Sequence, residues 1–184
     1  MSLFTREWLS IACREFIAID IETTGLSKYS DSIIEVAAIK YQNCTETDKF
    51  TTLINPNREI PYQATQIHGI TNDMVKDAPT IEVTMPQLLA FLQNHVLVGH
   101  NAHFDIGFIE ANAKRLGYNT KWNYIDTISI AKKILPGLLN YKLLTVLNAI
   151  NYKQIRYHRA EDDCKGCAEI IKTSIKHLQF QDTH

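Results

Sequence analysis

The run Phe16-Ile-Ala-Ile-Asp-Ile-Glu22 constrains this chain more than any other feature. It is apolar and β-branched on both of its faces, so it can be buried only as a central strand covered on both sides. Thr23-Thr-Gly25 stops it. Asp20 and Glu22 sit two residues apart and therefore point to one face. They lie at the end of the run, where a sheet opens into a crevice. Two carboxylates that close repel each other unless a cation lies between them. Incidental acids on a solvated strand end are the plainer alternative.

The rest of the chain arranges itself around that strand. Residues 32–41 predict a second strand and residues 49–54 a third, ended by Asn55-Pro56. The short gaps between them predict antiparallel neighbours. Residues 61–68 predict a short helix with Pro61 first and Gly69 as its stop. Residues 80–94 carry an apolar stripe of Ile81, Met85, Leu88, Leu89 and Leu92, although Pro86 sits awkwardly in it and offers an alternative start. A short strand at 96–100 precedes a helix at 104–116 with Gly117 as its stop. A last strand at 122–125 is followed by helices at 127–135, 143–151 and 161–178. Three strands followed by strands alternating with helices make an α/β protein. Its mixed central sheet, three antiparallel strands and then parallel ones, is flanked by helices. With 7 Gly and 5 Pro there is no flexible linker, so residues 1–184 are expected to form one domain.

Composition excludes several classes. Hydrophobic residues make up 45% and charged residues 21%, which is globular. Lys plus Arg is 19 against 20 Asp plus Glu, a net charge of -1, so a globally basic nucleic-acid coat is out. A local basic patch is not, because binding follows the local field. Cys13, Cys44, Cys164 and Cys167 are too few and scattered for a disulfide framework. There is no apolar run of about 20 residues, and the start lacks a signal peptide's basic-then-apolar pattern. A soluble, reduced, cytoplasmic protein is expected.

Two further segments carry chemistry. Gly99-His-Asn-Ala-His-Phe-Asp105 crowds His100, Asn101, His103 and Asp105 into a strand-to-helix turn. Asp105 alone would be read as a helix N-cap. In His158-Arg-Ala-Glu-Asp-Asp163 a His stands five residues before an Asp at a helix start. A favourable acidic first turn explains the acids but not the His.

Together the segments form an ordered set: Asp-x-Glu on a strand, Asp after a later strand, and His-x-Ala-x-x-Asp near the end. With Ile67-His-Gly-Ile-Thr71 and Tyr124-Ile-Asp-Thr127 they span residues 16 to 163. The chain resembles the DEDDh family of 3′-to-5′ exonucleases, of ribonuclease H-like fold. Within it, it is most similar to the branch of the proofreading (epsilon) subunit of bacterial DNA polymerase III. A sister branch carries Tyr four residues before the last Asp; that position here is Arg159, and Tyr157 is out of register with it.

The resemblance implies a metal-dependent 3′-to-5′ exonuclease that releases nucleoside 5′-monophosphates from single-stranded or frayed DNA. Asp20, Glu22, Asp105 and Asp163 would hold two divalent ions, Mg²⁺ or Mn²⁺, for which hard oxygen ligands are suited. His158 would be the general base. Thr23, Thr24 and Gly25 would offer backbone N–H groups and little bulk to the terminal nucleotide. Leu26 and Ile67 would wedge against its base, with His68, Asn101 and Phe104 lining the crevice; ordinary core is the alternative for Leu26, Ile67 and Phe104. Asp126 is read as structural. Lys28, Lys132, Lys133, Lys142, Lys153, Arg156 and Arg159 are candidate phosphate contacts, with Arg156 and Arg159 foremost. The Cys164–Cys167 pair is read as helix packing rather than a zinc site. A DNA polymerase is the implied partner. The chain ends at His184 without a recognisable clamp-binding peptide in 175–184, so a stand-alone enzyme and one cut from a longer chain both stay open. An exoribonuclease or oligonucleotide-trimming enzyme of the same fold is the second hypothesis, and a non-catalytic binding module the third.

Overall fold

The computed structural model describes residues 14–153 and 158–181. Its centre is β1 (Glu15–Thr23), the predicted buried strand. β2 (Ile33–Gln42) pairs with it antiparallel, and β3 (Thr45–Leu53) pairs antiparallel with β2. On the other side β4 (Leu97–Gly99) runs parallel to β1 and β5 (Tyr124–Asp126) parallel to β4. The order β3-β2-β1-β4-β5 is the mixed sheet that the strand pattern predicts.

Alternation along β1 divides the core in two. Ile17, Ile19 and Ile21 join Met85, Leu88, Phe108 and Ile109 on one face. These come from α3 (Ile81–Leu92) and α4 (Ala102–Arg115). Phe16 and Ala18 join Ile130, Val146, Leu147, Cys164, Cys167 and Ile171 on the other. These come from α5 (Thr127–Ile134), α6 (Leu143–Ala149) and α7 (Ala160–Gln181). Asp20 and Glu22 continue the Phe16–Ala18 row, so they face the helix that carries Asp163. Two shorter helical segments, α1 (Tyr62–His68) and α2 (Asn72–Val75), pack their Ala64 and Val75 on Ile34.

Two elements, β3 and α4, differ from expectation, and in α3 the alternative start at Pro86 is not used. β3 begins at Thr45, not residue 49. Asn43 and Cys44 have φ of 50° and 62°, the two left-handed residues of a tight hairpin turn. The polar Thr45–Asp48 start escapes a hydrophobic pattern because it lies exposed on a sheet edge. α3 starts at Ile81 and runs through Pro86, since burial of Met85, Leu88 and Leu92 outweighs the one missing hydrogen bond. α4 begins at Ala102, which places Asp105 inside its first turn rather than at its cap. Among the described residues no helix is long and apolar enough to cross a membrane.

Candidate active site

Three elements bring the acids together. β1 supplies Asp20 and Glu22, α4 supplies Asp105 and α7 supplies Asp163. Ile21 lies beyond the last β1–β4 pair, Ala18–Val98. Its N–H donates to Asp105 Oδ1 at 3.1 Å, which ties the α4 carboxylate to the strand. Glu22, His158 and Asp163 each place a ligand atom within 4.8 Å of the other two. His158 is exposed and has φ of 55°, a left-handed residue immediately ahead of α7.

This convergence shifts the acids' ionisation. Burial first, then the charges of Asp163, Glu35 and Asp105, pushes Glu22 to about 8 against the opposing pull of Arg159. Burial pushes Asp105 to about 8 despite the Ile21 hydrogen bond. Asp20 lies well above the carboxylate range through burial and then Asp105, Asp163 and Glu22. Such a group cannot all ionise at neutral pH without added positive charge. Oxygen donors of this kind suit a hard divalent cation.

Glu35, on β2 opposite Glu22, is the residue that sequence reasoning missed. It is 8% exposed. It accepts from Arg159 Nη2 at 2.6 Å, from Arg159 Nε at 3.1 and 3.2 Å, and from the Ala160 N–H at 3.1 Å. Glu35 thus fastens the start of α7, between His158 and Asp163, to the central sheet. An acid inside the apolar run Ile33-Ile-Glu-Val36 was the available signal. Arg159, a candidate phosphate contact, thus has its guanidinium engaged by Glu35.

The proposed nucleotide crevice has a rigid rim. Leu26 is 87% and Ile67 60% exposed, so neither is core. The Thr23 hydroxyl donates to the Gly25 carbonyl at 2.6 Å. Thr24 differs from expectation: its N–H donates to the Ser32 carbonyl at 2.9 Å, so it shapes the loop instead of offering that N–H. Gly25 stands directly on Asp31, whose carboxylate would lie 2.6 Å from any Cβ there. His68 is buried, and its Nδ1 accepts from the Ile70 N–H at 3.0 Å. Burial lowers its pKa, and it feels the charges of Glu35, His158 and Arg159. Asn101 is exposed with φ of 67° at the start of α4. Phe104 is half-buried against Phe108, 4.9 Å between rings, so part of it is core.

Other candidates prove structural. Asp126 Oδ1 caps α5 by accepting from Ile128 N–H at 2.9 Å and also accepts from Asn101 N–H at 3.1 Å. His100 is held by Thr127 and the Tyr141 carbonyl. Lys132 lies over the Tyr141 ring, whereas Lys142 stands exposed at the first position before α6 with no side-chain cap bond. Cys164 and Cys167 are buried in the core, Cys164 Sγ donating to the Ala37 carbonyl. Arg156, Tyr157 and Cys13 lie outside the described residues.

Known proteins of similar sequence and of similar fold point the same way. The RNase_T family model, described as exonuclease, matches residues 17–171. The chain is 42% identical over 165 residues to the PolC-type DNA polymerase III of Caldanaerobacter subterraneus subsp. tengcongensis, covering 90% of this chain and 12% of that protein. It is 33% identical over 168 residues to the 3′-5′ exonuclease DinG of Bacillus subtilis, covering 90% of this chain and 18% of that protein. The chain thus spans only a small part of these relatives. Among solved structures, exonuclease X in complex with 5′ overhanging duplex DNA has a TM-score of 0.69 and 26% identity, over 88% of this chain and 91% of that one. The zinc-bound E. coli exonuclease I–ssDNA complex has a TM-score of 0.78 over 93% of this chain and 43% of that one. At 17% identity it shares the fold.

Proposed function

The chain belongs to the exonuclease family, and from that premise we propose that it removes nucleoside 5′-monophosphates from the 3′ end of single-stranded or frayed DNA, as a proofreading enzyme does. Residues 1–184 act as one exonuclease domain in the cytoplasm, alongside a DNA polymerase. The observation that carries the reading is the meeting of Glu22, His158 and Asp163 within 4.8 Å, beside buried Asp105 and half-buried Asp20.

The donor set fits divalent metal: burial and mutual repulsion raise the pKa of Asp20, Glu22 and Asp105, a cost that added positive charge relieves. Asp20, Glu22, Asp105 and Asp163 would hold two Mg²⁺ or Mn²⁺ ions. When bound, the ions supply the positive charge that offsets the scissile phosphate and acidifies the attacking water. The chain's own groups do the rest. His158 Nε2 or Nδ1 takes the proton of that water, its exposure leaving the ring free to pass the proton to solvent. Leu26 and Ile67 pack against the terminal base, reading no base edge, so sequence preference is weak. Glu35 ties the Arg159 guanidinium and the Ala160 N–H to β2, which sets the start of α7, and with it His158, beside Glu22.

Digestion of a 5′-labelled DNA strand and its RNA counterpart tests this. We expect a metal-dependent ladder shortening from the 3′ end, faster on DNA, and slowed by about 10²–10⁴ in His158→Ala. No metal-dependent shortening of either strand overturns the reading. A faster RNA reaction moves it to the exoribonuclease.

A further inference from the structure

A groove of about 650 Å³ lies beside the site, between the loop that follows β1 and the outer half of α4. Lys28, Tyr29 and Ser30 line one wall, and Asn112, Lys114 and Arg115 the other. We propose that this groove carries the DNA strand leading to the cleaved 3′ end. The proposal rests on the exonuclease reading, in which that end sits among the four carboxylates.

Charge is the first argument. The chain as a whole has a net charge of -1, yet three cations gather here. Among the described residues neither Lys28 nor Lys114 has an acidic partner, and Arg115 meets only Glu82, exposed, at 3.8 Å. The one acid in the lining, Asp31, is already engaged by the Ser27 N–H at 2.9 Å. Arg58 adds a fourth cation at the loop, donating to the Ser30 carbonyl at 2.6 Å. Groups so placed attract phosphate.

Position is the second. The inner end of the groove adjoins the catalytic helix: Lys28 Nζ would be 3.5 Å from a Cβ at Gly107, two residues after Asp105. From Asp105 to Arg115 α4 rises about 15 Å, room for about four nucleotides at stacked spacing. Shape is the third. Tyr29 is 87% exposed with no core to serve, and the Lys28 ammonium lies 5.5 Å from its ring centre. An exposed aromatic flanked by cations is a stacking platform for an unpaired base. Leu26 and Tyr29 stand on one loop, so the base stack passes from the first to the second.

The test compares wild type with Tyr29→Ala/Lys114→Ala, and separately with Lys114→Glu. Both side chains are exposed, so folding is unaffected, which matching melting curves check. The substrates are the p-nitrophenyl ester of thymidine 5′-monophosphate, a dinucleotide and a DNA dodecamer. The ester cannot reach the groove. We expect KM for the dodecamer to rise about tenfold, with the ester unchanged and the dinucleotide, which offers a single base to Tyr29, affected less than the dodecamer. The slope of log KM against log salt should become shallower by about 0.7 for each phosphate that the variant no longer neutralises. Equal KM values for the dodecamer, or an equal loss on all three substrates, would overturn the proposal. Fluorescence anisotropy of the labelled dodecamer in EDTA separates the two readings. If no substrate is cleaved but wild type binds more tightly than the variants, the groove stands and the exonuclease reading falls. If cleavage proceeds and binding is identical, the reverse holds.

Discussion

Glu35 shows how one buried side chain sets the site. Its carboxylate accepts three donors from Arg159 and Ala160 while lying across from Glu22. Glu35→Gln keeps the volume and removes the charge, leaving Arg159 without its counter-ion. We expect a loss of about 1–3 kcal/mol by denaturant unfolding, with kcat falling more than KM because the terminal nucleotide is held elsewhere. Glu35→Asp should recover part of the activity. Asp126 makes the opposite case. As an N-cap and not a ligand, Asp126→Asn should keep the cap and near-normal activity, whereas Asp126→Ala should cost about 1 kcal/mol. Loss of activity in the Asn variant at full stability would make Asp126 part of the metal site after all.

At the scale of elements, the loop between β1 and β2 is held from within. Thr23, Thr24, Ser27 and Ser32 all bond inside it, and Asp31 fills the space beneath Gly25. Gly25→Ala forces the Asp31 carboxylate away, so the exposed Leu26 should lose its place. We expect KM to rise about tenfold. A double-mutant cycle with Asp31→Ala should show coupling of about 0.5–3 kcal/mol, because the two residues share one space. Additive effects would place the damage elsewhere. The elements themselves were largely legible. Apolar runs and periodic stripes mark strands and helices because burial selects them. The β3 start was hidden by exposed edge residues, whereas the α3 start at Ile81 falls within one residue of the predicted position, Pro86 being carried inside the helix.

Across the whole molecule, the site is a store of electrostatic stress. Glu22 and Asp105 are raised to about 8, far above the 4.5 and 3.8 of unperturbed groups. Between those limits the folded state keeps protons that the unfolded chain has released, so metal-free stability falls as pH rises, levelling above about 8. His68 and His100 are depressed by burial. They act in the opposite sense, favouring the fold as pH rises, but only up to about 6.5. From pH 7 to 8 the acids therefore dominate. The melting temperature in EDTA should drop across that interval, and millimolar Mn²⁺ should raise it and flatten the slope. An EDTA curve that is level or rising from pH 7 to 8 would count against the convergence of the acids.

The sequence by itself determined the central strand and the strand order's two regimes, because these depend on local pattern: alternation, β-branched runs and short spacings within one segment; Asp20, Glu22, Asp105, Asp163 and His158 stood out only through a resemblance that spans residues 16 to 163. It also determined that Asp20 and Glu22 share a face, a consequence of strand pleating alone. The tertiary structure decided what depends on distant segments meeting. Only packing of α7 on β1 and β2 brings Glu35 to Arg159 and fastens the helix start to the sheet. Only the close approach of the loop and α4 makes a groove from Lys28 and Tyr29 on one wall and Lys114, far along the chain, on the other. Ion pairs and grooves are properties of surfaces that meet in space, and no periodicity within a segment encodes them.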